Sequence, residues 1–147
     1  SSDLLQQRCP QAVFAGMQSH QELARSYASA DLLMFPSLTE TFGNVTLEAL
    51  SSGLPVLAFD TAAAGEWVKP DLNGWVVPAG DDQAYVDQAR QLALAPARVT
   101  QAATQARAQV AQLDWQQIAA QVEGVFLGVI ARHGNPHLAS AFVVPAV

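Results

Sequence analysis

The chain has 147 residues, half of them hydrophobic, and carries seven basic against thirteen acidic side chains, for a net charge of −6 at pH 7. A chain of this length buries about two thirds of its unfolded surface, so one folded domain with a single core is expected. The few basic residues are scattered, which argues against a phosphate-tracking nucleic-acid surface. Cys9 is the only cysteine, which rules out an internal disulfide and is compatible with a reducing compartment.

The sequence carries no recognisable membrane or targeting signal. No apolar run approaches the roughly 18 to 20 residues that a spanning helix needs, and the N-terminus lacks the basic-then-apolar pattern of a signal peptide. We therefore expect a soluble or at most peripheral protein. The sequence begins with Ser1-Ser2 and reaches an apolar segment almost at once, from which we expect a fragment of a longer protein.

Short apolar runs alternate with amphipathic segments along the chain. Continuously apolar strands between helices are typical of a parallel sheet covered on both faces. The predicted fold is therefore α/β, a Rossmann-like parallel sheet flanked by helices, with a helical C-terminal region. The predicted strands are residues 13–16, 31–35, 55–59 and 75–77. The predicted helices are residues 21–30, 45–52, 65–69, 81–94, 96–113 and 114–130.

Glu40 lies in the turn that follows the second predicted strand, just past Pro36-Ser37. In open α/β sheets, ligands bind in the crevice beyond the carboxyl ends of the strands. Glu40 is therefore a candidate ligand-binding acid. A solvated loop acid, or a helix-start residue favoured by the helix dipole, is the alternative interpretation.

The stretch Phe42-Gly43-Asn44 begins the helix that follows. Gly43 has no side chain to block a ligand, and the unpaired N–H groups at this helix start, including that of Val45, would point at an anion such as a phosphate. A glycine that merely permits the turn is the alternative.

Glu48 is the second candidate acid, and its sequence neighbours are Leu47 and Ala49. A carboxylate in a dry apolar setting loses several kcal/mol of hydration, so we expect Glu48 to face a cleft or a hydrogen-bond donor. The eight positions from Glu40 to Glu48 correspond to about 12 Å of helix, whereas paired hydrolase carboxylates stand about 5 to 9.5 Å apart. This spacing favours contacts with the two ends of one long ligand, such as a nucleotide sugar. Both acids would then accept hydrogen bonds from its hydroxyls.

The stretch "ADLLMFPSLTETFGNVTLEALSSGLPVLAF" resembles the donor-binding region of retaining glycosyltransferases of the GT-B fold, in glycosyltransferase group 1, also called family 4. The family pattern is P-S-x-x-E-x-F-G-x-x-x-x-E-A-x-x-x-G-x-P-V. The matching residues are Pro36, Ser37, Glu40, Phe42, Gly43, Glu48, Ala49, Gly53, Pro55 and Val56. The resemblance extends over residues 13–37 and 73–92, which implies a nucleotide-sugar-binding domain over residues 1–134, with a C-terminal tail over 135–147.

The resemblance implies a role for each matching residue. Glu40 would be the catalytic-site acid that holds the transferred sugar's hydroxyls, and Glu48 would bind the ribose. Backbone amides of the helix start, to which Val45 belongs, would contact the sugar and diphosphate. The other residues implied in donor binding are Gly16 and Met17 beside the nucleobase and Phe42, Gly43 and Asn44 at the sugar and diphosphate.

The sequence departs from the family pattern in two ways. The family's diphosphate-clamping Arg and Lys, and its acceptor-binding domain with a catalytically placed His, are expected before Ser1, so His20, His133 and His137 are interpreted as surface residues. The residues before Glu66 are Ala-rich where many members have Gly-Gly, which blurs the donor assignment.

The leading hypothesis is the donor-binding part of a retaining hexosyltransferase, with the fragment inactive alone. The donor would be GDP-mannose first, or a UDP-sugar, and the acceptor a glycan or a lipid-linked molecule bound by the N-terminal domain. No cofactor, metal or nucleic-acid partner is expected, and the expected location is the cytoplasm, with peripheral association at the inner membrane face through the parent enzyme left open. A non-catalytic nucleotide- or protein-binding α/β module is the alternative, and a GT-B epimerase or phosphorylase ranks third.

Overall fold

The computed structural model describes residues 2–39, 44–111 and 123–129. The chain divides into two compact units, Ser1–Val110 and Ala111–Val147. In the second unit, residues 123–129 are helical. The helices of the first unit are α1 (Ser2–Arg8), α2 (His20–Ser29), α3 (Asn44–Ser51), α4 (Ala62–Trp67), α5 (Asp82–Leu94) and α6 (Pro96–Val110). Its strands are β1 (Leu33–Phe35), β2 (Val56–Phe59) and β3 (Gly74–Val77).

The three strands form one parallel sheet in the order β1-β2-β3. The register sets Leu33 opposite Val56 and Leu57 opposite Trp75. Every residue of the central strand β2 is buried. Because successive side chains of a strand point to opposite faces, β2 must be covered on both faces, as in a doubly covered parallel sheet. The predicted α/β class and these three strands are confirmed.

Helix α3 ends in a turn that contains Gly53 and leads into β2. Gly53 has a φ of +80°, a left-handed conformation that costs glycine little. Its amide donates to the Leu50 carbonyl at 3.0 Å, and the Leu54 amide donates to the Ala49 carbonyl at 2.9 Å. This pair of bonds forms a Schellman motif, and it fixes the direction in which the chain leaves α3 towards β2.

The core lies between β2, β3 and the two long helices α5 and α6. Its buried members are Leu57, Phe59, Trp75, Val77, Tyr85, Leu92, Val99 and Ala102. Helix α5 is capped at Asp81, its predicted start, where the Asp81 carboxylate accepts a hydrogen bond from the Ala84 amide at 2.9 Å. On α6 the buried face carries Val99, Ala102, Ala106 and Val110.

The predicted strand at residues 13–16 is wrong, since these residues form neither strand nor helix. A strand needs a neighbour for its ladder of hydrogen bonds, and none of the described strands pairs with this segment. Val13 is accordingly 91% exposed. Helix α4 begins at Ala62, three positions before the predicted start at Gly65.

The predicted helix over residues 114–130 falls mostly outside the described residues. Residues 123–129 are helical, as predicted. Within the parts of the chain that the structure describes, no helix is both long enough and apolar enough to span a membrane.

Candidate functional site

The carboxyl ends of the three parallel strands, at Phe35, Phe59 and Val77, lie along one edge of the sheet. Helix α3 follows β1 and returns antiparallel to it, so α3 begins at this edge. A short connection joins the C-terminal end of α2 to β1, and α2 packs against α3. The first turn of α2 therefore lies at the same edge of the sheet as the start of α3. Both helix starts therefore border the crevice where ligands of open α/β sheets bind.

On α3, Asn44 is the first residue and Glu48 lies four residues later. Both are exposed, whereas the inward face of the helix carries Thr46, Ala49 and Leu50. Residues four apart stack on one face, about 6 Å along the axis. The solvent-facing side of α3 thus presents its first residue and, one turn further along, a carboxylate.

Glu48 is exposed, so its carboxylate does not lie in a dry apolar setting. Its apolar neighbours in sequence, Leu47 and Ala49, point elsewhere because a helix advances by about 100° per residue. The Glu48 carboxylate is therefore hydrated in the chain as it stands, and a ligand can reach it without opening the core.

The segment that precedes α2 carries Gly16 and Met17. Gly16 has a φ of +66°, and the Met17 side chain is fully exposed. Two residues later, Ser19 and Glu22 cap α2 reciprocally: the Ser19 amide donates to Glu22 Oε2 at 2.8 Å, and the Glu22 amide donates to Ser19 Oγ at 3.4 Å. The Ser19 hydroxyl also donates to Glu22 Oε2 at 2.7 Å, and this bond, followed by the one from the Ser19 amide, holds the pKa of Glu22 below its usual range. The capping box therefore anchors the C-terminal end of the Gly16-Met17 turn.

The loop after β1 is described as far as Thr39. The Ser37 hydroxyl donates to the Thr39 carbonyl at 2.8 Å, which shapes the turn. Three of the predicted site residues, namely Glu40, Phe42 and Gly43, lie outside the described residues. Of the predicted site, the structure describes the Gly16-Met17 turn, which precedes α2, and the outer face of α3, the helix against which α2 packs.

The family model described as "Glycosyl transferases group 1" matches residues 2–94, more than half of the chain. The chain belongs to the group 1 glycosyltransferases. The resemblance drawn from the motif around Glu40 and Glu48 is thereby confirmed at the level of the family.

Individual group 1 relatives support the assignment. A GDP-mannose-dependent alpha-mannosyltransferase of Mycobacterium tuberculosis is 42% identical over 77 residues, which cover 52% of this chain and 20% of that protein. Sucrose-phosphate synthase from Thermosynechococcus elongatus superposes with a TM-score of 0.73 at 28% identity, over 89% of this chain and 34% of that chain. The C-terminal domain of a group 1 protein from Francisella tularensis has a TM-score of 0.62 at 24% identity, over 75% of this chain and 60% of that chain.

These likenesses confirm the predicted fold class, a Rossmann-like half of a GT-B architecture. The chain spans 20% of the length of the mannosyltransferase and 34% of the length of the synthase chain. What a whole group 1 enzyme does therefore involves much more chain than these 147 residues.

Two residues of this glycosyltransferase chain were not singled out from the sequence. Thr46 is completely buried, and its hydroxyl has no hydrogen-bond partner among the residues that the structure describes. Tyr27 is half-buried on the side of α2 that also carries Leu23 and Ser26. The i, i+3, i+4 spacing of these three was the available signal, but which helix they would meet depends on tertiary packing.

An apolar groove of about 560 Å³ lies at the same edge of the sheet, between β1 and α5. Met34, Phe59, Tyr85 and Ala89 are among its lining residues, and its surface is almost entirely apolar. A diphosphate needs backbone amides or cations. Arg90 also lines the groove, but it lies 3.5 Å from the Asp87 carboxylate. The groove therefore offers mainly apolar surface to a ligand.

Proposed function

We propose that the chain is the donor-binding part of a retaining glycosyltransferase, which moves a hexose, mannose favoured, from a nucleoside diphosphate to a glycan or lipid-linked acceptor. Membership of group 1 and the position of Asn44 and Glu48 on one exposed face of α3 support this proposal. The preference for GDP-mannose rests on the mycobacterial relative, whose name states that donor.

The placement of Asn44 and Glu48 is the observation that carries the proposal. The diphosphate would lie over the amino end of α3, where the unpaired amides of Asn44 and Val45 and the helix dipole favour negative charge. The ribose would lie one turn further along the helix, where the exposed Glu48 carboxylate can accept hydrogen bonds from both of its hydroxyls.

The remaining contacts follow from the same orientation of the donor. Gly16 and Met17, at the start of α2, would lie beside the nucleobase. Glu40, with the backbone amides of Phe42 and Gly43, would contact the hexose and the departing phosphate. The transfer needs no metal in this proposal, because helix amides and basic side chains of the parent enzyme would neutralise the leaving diphosphate.

The experiment is a transfer assay of the full-length parent enzyme with GDP-mannose and with UDP-glucose, followed by proton NMR of the product. The proposal expects transfer from GDP-mannose and an anomeric coupling that shows retained configuration. Inverted configuration would contradict the retaining mechanism. Binding of either nucleotide without any transfer would instead support the non-catalytic module, and the 147-residue chain alone should transfer nothing.

A further inference from the structure

One face of the sheet is covered by helices over β2 and β3 but left open over β1. Met34 lies opposite Leu57 in the sheet, and Leu57 lies opposite Trp75, so the three side chains point to the same face. Leu57 and Trp75 are buried in the core that also contains residues of α5 and α6, whereas Met34 is 52% exposed. The helical layer on this face therefore ends before it reaches β1.

The space over β1 is an apolar groove that follows α5. The groove of about 560 Å³ described above adjoins a second one of about 350 Å³, and Met34, Ala89 and Ala93 line both. Val86, Ala89 and Ala93 follow one another on α5 at spacings of three and four residues, so they share one side of the helix. The groove thus extends along about two helical turns of α5.

The lining of this groove suits a helix better than a small molecule. A site for a small ligand contains a few convergent polar groups that orient it, whereas the surface of the larger groove is almost entirely apolar. On a parallel sheet, the elements that cover each face are helices, because the crossover connections between parallel strands run over the faces. The small side chains of Ala89 and Ala93 would let the axis of a second helix come within about 8 to 10 Å of α5. The groove therefore has the position and the chemistry of an unfilled place in the helical layer.

The relatives indicate where such a helix would come from. The chain covers 89% of its own length in the match to the synthase but only 34% of that chain, and it covers 20% of the mannosyltransferase. The described strands form a sheet of three, which is at the small end of the range of natural sheets. A longer parent enzyme therefore has chain available to extend the helical layer over β1.

We propose that a helix from the part of the parent enzyme outside these 147 residues lies along α5 in this groove and covers Met34 with its apolar side. Met34 and Val86 are 52% and 42% exposed, so covering them removes apolar surface from water and holds the helix in place through the hydrophobic effect. The inference depends on the family to which the chain belongs and on no property of the donor. It can therefore fail while the proposed function stands, and the reverse is also true.

The first test is the oxidation of Met34 by dilute hydrogen peroxide in the full-length parent enzyme, followed by peptide mass spectrometry. Met34 should be oxidised at least about tenfold more slowly in the native enzyme than in the enzyme unfolded by guanidinium chloride, because oxidation of a thioether follows its exposure. A native rate within about twofold of the unfolded rate would overturn the proposal. Protection that disappears on dilution would also overturn it, because a second copy of the enzyme would then fill the groove.

The second test places a charge in the groove. Ala93 is exposed and lines the groove, so Ala93→Glu should cost little unless another element covers this position. In the full-length parent enzyme the variant should lower the midpoint of thermal unfolding by about 3 °C or more, because the new carboxylate is forced against an apolar surface. Gln91→Glu adds the same charge at an exposed position of α5 outside the lining of the groove, and should shift the midpoint by less than about 1 °C. Equal shifts in the two variants would overturn the proposal.

Discussion

The phenol hydroxyl of Tyr85 donates a hydrogen bond of 3.0 Å to the carbonyl oxygen of Leu57, in the middle of the central strand. Both residues are buried, and the Tyr85 ring also packs at 5.2 Å from the ring of Phe59. This contact joins α5 to the strand whose carboxyl end borders the candidate site. The position of α5 against the sheet is therefore fixed by a directional bond as well as by apolar packing.

Replacement of Tyr85 by Phe removes only the hydroxyl of this pair. We expect the free energy of unfolding to fall by about 1 to 3 kcal/mol, because the bond is lost in a buried setting. Urea denaturation followed by circular dichroism measures the change. Tyr27→Phe makes the same chemical change at a half-exposed position and should alter stability by less than about 0.5 kcal/mol. Equal losses in the two variants would contradict the account.

Alkaline pH should also weaken the fold through Tyr85. Burial raises the pKa of Tyr85 to about 12, compared with about 10 in an unfolded chain. The folded state holds the proton more tightly, so this contribution is fully present below pH 10 and is lost as the pH rises towards 12. The free energy of unfolding, measured between pH 8 and 11.5, should decline less steeply with pH in the Tyr27→Phe/Tyr85→Phe double variant than in Tyr27→Phe alone. Parallel curves would show that Tyr85 does not titrate in this way.

The contribution of Asp71 to stability should depend on pH with the opposite sign, because it is lost as the pH falls. Hydrogen bonds from Arg98 and from the Trp75 indole hold the pKa of Asp71 below its usual range. The contribution is present above the unfolded pKa of about 3.9 and is lost as the pH falls through the folded value. Because the Asp71 side chain is 63% exposed, the loss should stay under about 1 kcal/mol.

Acid denaturation of Asp71→Asn between pH 2 and 6 measures this contribution. Asn tolerates the positive φ of 60° at this position, so the turn is kept. The variant should lose part of the acid-sensitive stability, whereas Asp87→Asn, the control for one negative charge, should keep it. Identical acid transitions in Asp71→Asn and the unmodified chain would contradict the prediction.

Gly74, at the start of β3, has no room for a side chain. An added Cβ would lie 2.3 Å from the Val56 carbonyl oxygen and 2.9 Å from Val68 Cγ1. Gly74→Ala should therefore destabilise the fold by about 1 to 3 kcal/mol, through displacement of the central strand. Gly53→Ala is the comparison, since its Cβ would meet nothing within 4 Å and only the left-handed φ is penalised, at about 1 kcal/mol. Thermal unfolding that ranks Gly53→Ala as the more damaging change would contradict this view.

The parallel sheet could be predicted because its strands are continuously apolar runs bounded by turn residues, a pattern that β2 shows over Val56–Phe59. The segment at residues 13–16 has the same local pattern, yet a strand forms only where another strand can pair with it. Local composition cannot supply that partner. The correct interpretation of residues 13–16 needed the tertiary arrangement.

The candidate site shows the same limit at Glu48. Its neighbours in sequence are apolar, but on a helix the residues that share a face are three and four positions apart. Thr46, Ala49 and Leu50 turn inward and Glu48 turns outward. The family motif correctly indicated the group 1 family, whereas the packing of α2 against α3 depends on the tertiary arrangement, which no motif records.

The most direct test of the central claim is the affinity of the full-length parent enzyme for GDP, measured by isothermal titration calorimetry. We expect Glu48→Gln to weaken binding about tenfold, since a charged acceptor for the ribose hydroxyls becomes neutral. Asp87→Asn should leave the affinity unchanged. Unmodified affinity for both GDP and UDP in Glu48→Gln would contradict the account, because α3 would then not be the helix that holds the nucleotide.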